Sequence, residues 1–178
     1  MPGDTKARIQ EVARELFVRQ GVQNTSLRQI SERLGITKPA LYYHFASRED
    51  LVRSILQPLV DDLERFVDTR PPGEARAGEA RALLEDCFEL MWRHREVTTM
   101  IVRELSLLGT LDLGERVFAW QRRMIALLLG PDPTPELQIR ATVALGGMSD
   151  CTVEYAHLPV AQVKRAAVEA AAAALALP

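Results

Sequence analysis

Apolar positions along this chain recur with the period of a helix, and no stretch alternates with period two for long enough to argue a strand. Ile9, Val12, Ala13, Leu16 and Phe17 fall at i, i+3, i+4, i+7 and i+8, one face of a helix that Gly21 ends. Ser26-Leu27-Arg28-Gln29 follows as a capping box, in which the serine and glutamine side chains satisfy each other's free backbone donors. Leu27, Ile30 and Leu34 form the buried stripe of that short second helix, which stops at Gly35. Thr37 caps a third helix, with Pro39 tolerated in a first turn whose N–H groups lack intrahelical partners. Ser47 and Asp50 open a fourth, carrying Leu51, Ile55, Leu59, Leu63 and Phe66 toward a break at Arg70-Pro71-Pro72-Gly73. Pro58 should kink that helix or mark its weak point.

Beyond the break, helices are expected at about 76–94, 96–108, 112–129, 135–157 and 159–176, punctuated by Gly109, Gly130-Pro131-Asp132-Pro133 and Leu158-Pro159. The Ala170–Ala174 run is a helix former, so the fold class is all-α. At 178 residues the chain suits one medium core, or a small module on a larger helical body. The start lacks an apolar signal region and no segment reaches about 18 uninterrupted apolar residues, so a cytoplasmic protein without membrane contact is expected. Cys87 and Cys151 stand alone, which argues against a disulfide framework and against a zinc site. The net charge is only −2, but residues 1–52 hold eight basic and six acidic side chains, while the remaining 126 hold fourteen and eighteen. That mild asymmetry permits a nucleic-acid-binding end without establishing one.

Two short helices around the Gly35 turn make a helix-turn-helix, a weak signal on spacing alone. The content of the third helix sharpens it. In Thr37-Lys38-Pro39-Ala40-Leu41-Tyr42-Tyr43-His44-Phe45 only Leu41 and Phe45 fall on a core face, at i and i+4. Lys38, Tyr42, Tyr43 and His44 remain for the surface, where they suit sugars and phosphate oxygens. Packing of the Tyr43 ring against the first helix is the bland alternative. The stretch Asn24–Phe45, ending in Leu41-Tyr42-Tyr43-His44-Phe45 and followed by Ser47-Arg48-Glu49-Asp50-Leu51, closely resembles the DNA-binding domain of TetR-family transcriptional regulators. The match covers roughly the first 55 residues; the remainder agrees in length and helical character.

The resemblance implies an all-α homodimer with a DNA-binding domain at 1–55 and a helical ligand-binding and dimerisation domain at 56–178. It places Thr25, Ser26 and Arg28 at the start of the second helix, where N–H groups and a basic side chain can hold a phosphate. It assigns Thr37, Lys38, Pro39 and Ala40 to base edges, and Tyr42, Tyr43 and His44 to phosphates and the neighbouring sugar or thymine methyl. Arg48 stands where the family often has lysine, exchanging a point charge for a bidentate phosphate contact. The implied partners are a double-stranded DNA operator, palindromic as a two-fold dimer requires, and a small apolar effector. Effector binding would release a repressor. No cofactor or metal is expected.

In the body, Cys87, Phe88, Met91, Trp92, Met100, Phe118, Trp120, Met124, Cys151 and Tyr155 are the adaptable, polarizable side chains that suit an effector pocket, although the same spacing suits plain core. Ala141, Ala144, Gly147, Ala167, Ala170 and Ala174 in the last two helices fit close helix packing, either between subunits or within one. A small helical enzyme is the competing class. It lacks support: GxSxG, HExxH, P-loop and dinucleotide patterns are absent, and His94 and His157 are isolated. A protein-only adaptor would leave the tyrosine-rich third helix unexplained.

Overall fold

The computed structural model describes residues 2–70, 77–104, 106, 109 and 111–177. Among these, nine α-helices follow one another: α1 (Pro2–Gln20), α2 (Leu27–Leu34), α3 (Lys38–His44), α4 (Arg48–Asp68), α5 (Ala77–Arg93), α6 (Arg95–Arg103), α7 (Gly114–Leu129), α8 (Pro135–Glu154) and α9 (Val160–Ala174). No strand occurs among the described residues. The Pro-Pro-Gly of the expected break and four of the ten residues between α6 and α7 lie outside the described part. Where the pattern predicts a helix over 96–108, α6 ends at Arg103 with Glu104 as its cap. Likewise α8 ends at Glu154, three residues early, because a turn closed by Leu158 N–H on the Tyr155 carbonyl leads into Pro159 at the start of α9.

The small N-terminal unit is built as its caps dictate. Ser26 Oγ accepts the Gln29 N–H at 3.2 Å and Gln29 Oε1 accepts the Ser26 N–H at 2.8 Å, closing the capping box. Gly35 ends α2 at a left-handed φ of 67°, with its own N–H on the Glu32 carbonyl and that of Ile36 on Ser31. Ile9, Ala13, Phe17, Ile30, Leu41, Phe45 and Leu51 then close a core between α1, α2, α3 and the start of α4.

α4 runs unbroken through Pro58. A proline at 58 leaves the Ser54 carbonyl without its helical donor. Gln10 of α1 repairs the gap, its Nε2 donating to Ser54 O at 3.4 Å and to Ser54 Oγ at 3.0 Å. Past this point α4 carries Leu59, Val60, Leu63, Phe66 and Val67 into the larger body, so the expected domain boundary at 55/56 falls inside a continuous helix.

In that body α4 packs on α7, and α5 on α8 and α9, while α8 and α9 pair along their length. Arg116 of α7 binds α4 through Asp61 at 3.0 Å and Glu64 at 2.7 Å. His94, at the α5–α6 corner, bonds Asp62 at 2.8 Å, and His157 lies exposed beside Tyr155. Burial pushes the Cys87 thiol up to about 12, which makes it an inert core side chain, and both cysteines are unpaired. The small residues of the last two helices divide between buried and exposed positions. Ala141, Ala144 and Ala167 are buried within the subunit, whereas Gly147 and Ala170 face outward.

Candidate nucleic-acid interface

Leu41 and Phe45 anchor α3 with 0% and 1% exposure, and that phase turns the rest of the helix to solvent. Tyr43 is 84% exposed and Tyr42 43%, so neither ring is used as core. Thr37, Lys38 and Pro39 are exposed and Ala40 and His44 half-buried. The Thr37 hydroxyl accepts the Ala40 N–H at 3.3 Å and fixes the first turn. Lys38 Nζ lies 5.5 Å from the centre of the Tyr42 ring, and the His44 ring meets Tyr43 edge-on at 5.2 Å.

Beside α3 an open depression of about 410 Å³ is lined by Ser26, Leu27, Arg28, Lys38, Tyr42, Ala46, Ser47, Arg48 and Glu49. The N-terminal ends of α2 and α4 both reach it, each capped by a serine that spends its hydroxyl on the third residue of its helix. Helix N-termini carry partial positive charge. With Arg28, Lys38 and Arg48 on its walls, the depression offers an anion both dipole ends and three cations. Arg28 holds only an exposed pair with Glu32 at 2.7 Å, which raises its guanidinium above the usual range and is readily exchanged for a phosphate. Glu49 is the opposing charge on the rim. Its own backbone N–H, then Ser47 and Arg48, hold its carboxyl below the usual range.

Thr25 departs from its expected place. It is 1% exposed, its hydroxyl donating to the Gly21 carbonyl at 2.8 Å and accepting from Gln20 Nε2 at 3.1 Å. Its side chain therefore builds the α1–α2 turn and faces no surface. Arg48 is also partly committed inward: Nη1 donates to the Val22 and Gln23 carbonyls at 3.4 and 3.5 Å, and Nη2 to Gln23 Oε1 at 3.4 Å. Lys6 escaped the sequence pattern because it precedes the apolar stripe of α1. Its Nζ stands 5.5 Å from the Phe45 ring centre, adding a cation at the far end of α3.

Most of the residues expected around an effector belong to the core or pack against it. Phe88, Met91, Met100, Trp120 and Met124 are close-packed core, and Trp92 stacks on Phe88 at 5.8 Å. Cys151 is half-buried. Phe118 and Tyr155 differ from the rest in being 54% and 47% exposed. Phe118 lies two residues from Trp120, on the side of α7 away from the buried Trp120–Met124–Leu127 stripe, and Tyr155 caps α8 where that helix leaves the core. A cavity of about 470 Å³ between the ends of α4 and α7 is lined instead by Val67, Asp68, Arg70, Arg123, Ala126, Leu127 and Pro131. Trp120 Nε1 is buried without a hydrogen-bond partner.

A three-helix unit presenting an anchored, tyrosine-rich third helix beside a cationic depression has the architecture of a helix-turn-helix DNA-binding unit. Residues 9–55 match the family model of the bacterial regulatory proteins of the tetR family. Over 104 residues, 58% of this chain, the match to the transcriptional regulator TtgR of Pseudomonas putida is 39% identical, and that to the probable regulator ArpR, also of Pseudomonas putida, 31%. Each match covers 44% of the relative, so the chain spans less than half the length of these proteins. Among solved structures, a TetR-family regulator from Streptomyces coelicolor superposes with a TM-score of 0.74 at 20% identity, over 94% of this chain and 89% of that one. A TetR/AcrR-family regulator from Thermobifida fusca gives 0.54 at 28% identity, over 93% and 97%. The N-terminal unit thus carries the tetR-family pattern in sequence, and the chain as a whole has the fold of TetR-family structures. These relatives are regulators rather than enzymes.

Proposed function

We propose that this chain is a cytoplasmic, homodimeric repressor that leaves a palindromic DNA operator when a small apolar effector binds its body. Residues 1–55 act as the DNA-binding domain and 56–178 as the effector-binding and dimerisation domain. The observation that carries this is the joining of exposed Lys38, Tyr42 and Tyr43 with Arg28 and Arg48 around one depression fed by two helix ends. Lys38 and Ala40, in the first turn of α3, read base edges with Thr37 and Pro39 beside them. Tyr42, Tyr43, His44, Arg28, Arg48 and the first turn of α2 at Ser26 hold the backbone. Lys6 adds a phosphate contact at the other end of α3.

Dimerisation uses the outer face of α8 and α9. Ile139 and Val143 are 65% and 63% exposed, and they share a helical stripe with Gly146. Ala166 and Ala173 are exposed on α9. An apolar face of this kind, with glycine and alanine admitting close approach, fits an isologous four-helix contact. The effector would enter the body between α4 and α7 or within the core around Trp120, whose unpaired indole N–H offers a donor to it. No helix among the described residues is long and apolar enough to cross a membrane.

The test is duplex binding against salt concentration. Three cations per subunit predict a steep loss of affinity as salt rises, by about 10³-fold or more between 50 and 200 mM for roughly six phosphate contacts. Affinity indifferent to salt would overturn the assignment of the depression to phosphate.

A further inference from the structure

Glu104, the cap of α6, lies 82 residues from Val22, yet its Oε1 accepts the Val22 backbone N–H at 2.7 Å. The contact is prepared from both sides. Gly21 has a φ of +87°, and a Cβ there would stand 2.8 Å from Glu104 Oε1, so only glycine supplies both the left-handed turn and the room for the carboxylate. The other oxygen, Oε2, is buried with no hydrogen-bond partner among the described residues. An apolar side chain would cover the same spot without that desolvation cost, so the bond to Val22 is what a carboxylate adds here. Two more contacts hold α6 against α1: Arg103 Nη1 donates to the Val18 carbonyl at 2.7 Å, and Glu96 pairs with Arg14 at 2.9 Å.

The backbone gripped by Glu104 is also the backbone that holds Arg48. The Val22 N–H faces α6, while the Val22 and Gln23 carbonyls accept from the Arg48 guanidinium. All three hydrogen-bond acceptors of the Arg48 guanidinium, at 3.4 to 3.5 Å, belong to Val22 and Gln23, so a shift of the loop moves every group that Arg48 faces there. A guanidinium has five donors and can hold the loop and a phosphate together. We propose that Glu104 is a positioning residue: it fixes the 21–24 turn, and through it Arg48, so that a displacement of α6 in the body reaches the phosphate depression through one backbone amide. The consequence for DNA rests on the function proposed above; the positioning itself does not.

The experiment compares the full-length protein with Glu104→Ala, Glu104→Gln, Arg48→Ala and the Glu104→Ala/Arg48→Ala double variant. In the free protein, Glu104→Ala should speed amide exchange at Val22 by about tenfold while the middle of α1 keeps its protection, and should loosen the Arg48 Nε–H resonance. Glu104→Gln, which keeps an acceptor oxygen, should restore both. On a duplex selected by the unmodified protein, Glu104→Ala should weaken binding by about tenfold, the scale of one charge-assisted hydrogen bond. The double variant should bind no worse than Arg48→Ala alone. Unchanged Val22 exchange in Glu104→Ala, or losses that simply multiply in the double variant, would overturn the proposal. If the unmodified protein selects no duplex, the DNA-binding function fails, and the free-protein readouts still decide whether Glu104 positions Arg48.

Discussion

Lys38 occupies the first position of α3 with its ammonium over the Tyr42 ring, so the groups proposed to read bases and to hold the backbone lie side by side on one turn. They should separate on mutation. Lys38→Ala is expected to relax base preference within each half-site, at about 1–3 kcal/mol against the best sequence, because a lysine donates to guanine O6 or N7. Tyr42→Phe should weaken all sequences alike, since a phosphate carries no base identity. Arg48→Ala should do the same while flattening the slope of log affinity against log salt by about one per subunit. Selection profiles for the three variants check this, and a Lys38→Ala profile matching the parent would contradict it. Most of this surface was legible in the sequence, because a seven-residue helix with only Leu41 and Phe45 to bury has to show the remainder to solvent. Thr25 was not. Whether a hydroxyl next to a cap turns inward depends on Gln20 and Gly21 of the preceding turn, which no pattern of apolar positions encodes.

The elements were equally readable wherever a cap or a glycine ends them, as at Ser26, Gly35, Thr37 and Ser47. Pro58 shows what remained hidden: the helix survives because a residue 48 positions earlier, Gln10, serves the orphaned Ser54 carbonyl. Gln10→Leu should therefore cost about 1–2 kcal/mol, measured by urea unfolding, whereas Gln10 replaced in a Pro58→Ala background should cost distinctly less. The acidic stretch of α4 gives a second test. Asp62 is held below the usual carboxylate range first by the His94 bond, and Glu64 first by Arg116. A lowered folded-state pKa stabilises the fold above the ordinary carboxylate range, and the contribution is lost as pH falls through the folded values. Unfolding midpoints should thus drop below about pH 4. Arg116→Ala, which returns Glu64 toward its ordinary range, should make that drop shallower; an unchanged pH slope would remove the assigned role.

At the scale of the whole molecule, the all-α order followed from helical period and punctuation, but where a pocket would lie did not. Large apolar side chains at helical spacing are what packed cores and pockets share, and Phe88, Trp120 and Met124 are core while Phe118 and Tyr155 are surface. The proposed subunit contact was half legible. Ala141 and Ala144 pack within the subunit, and the outward stripe of Ile139, Val143 and Gly146 identifies itself only once α9 is seen to cover the other side. Apart from its own stretch of helix, no described atom lies within 4 Å of a Cβ added at Gly147, so Gly147→Leu has open space at its Cβ and is expected to obstruct a partner. Sedimentation should show a dimer for the parent and a shift toward monomer for the variant, with unfolding stability held. A symmetric dimer must present two copies of α3 to one face of the duplex, with half-site centres about 34–36 Å apart or a multiple of that. Selection of random duplexes by the unmodified protein tests this most directly. The structure predicts an enriched palindrome with half-sites at that spacing; a non-palindromic winner, or no enrichment at all, would contradict it.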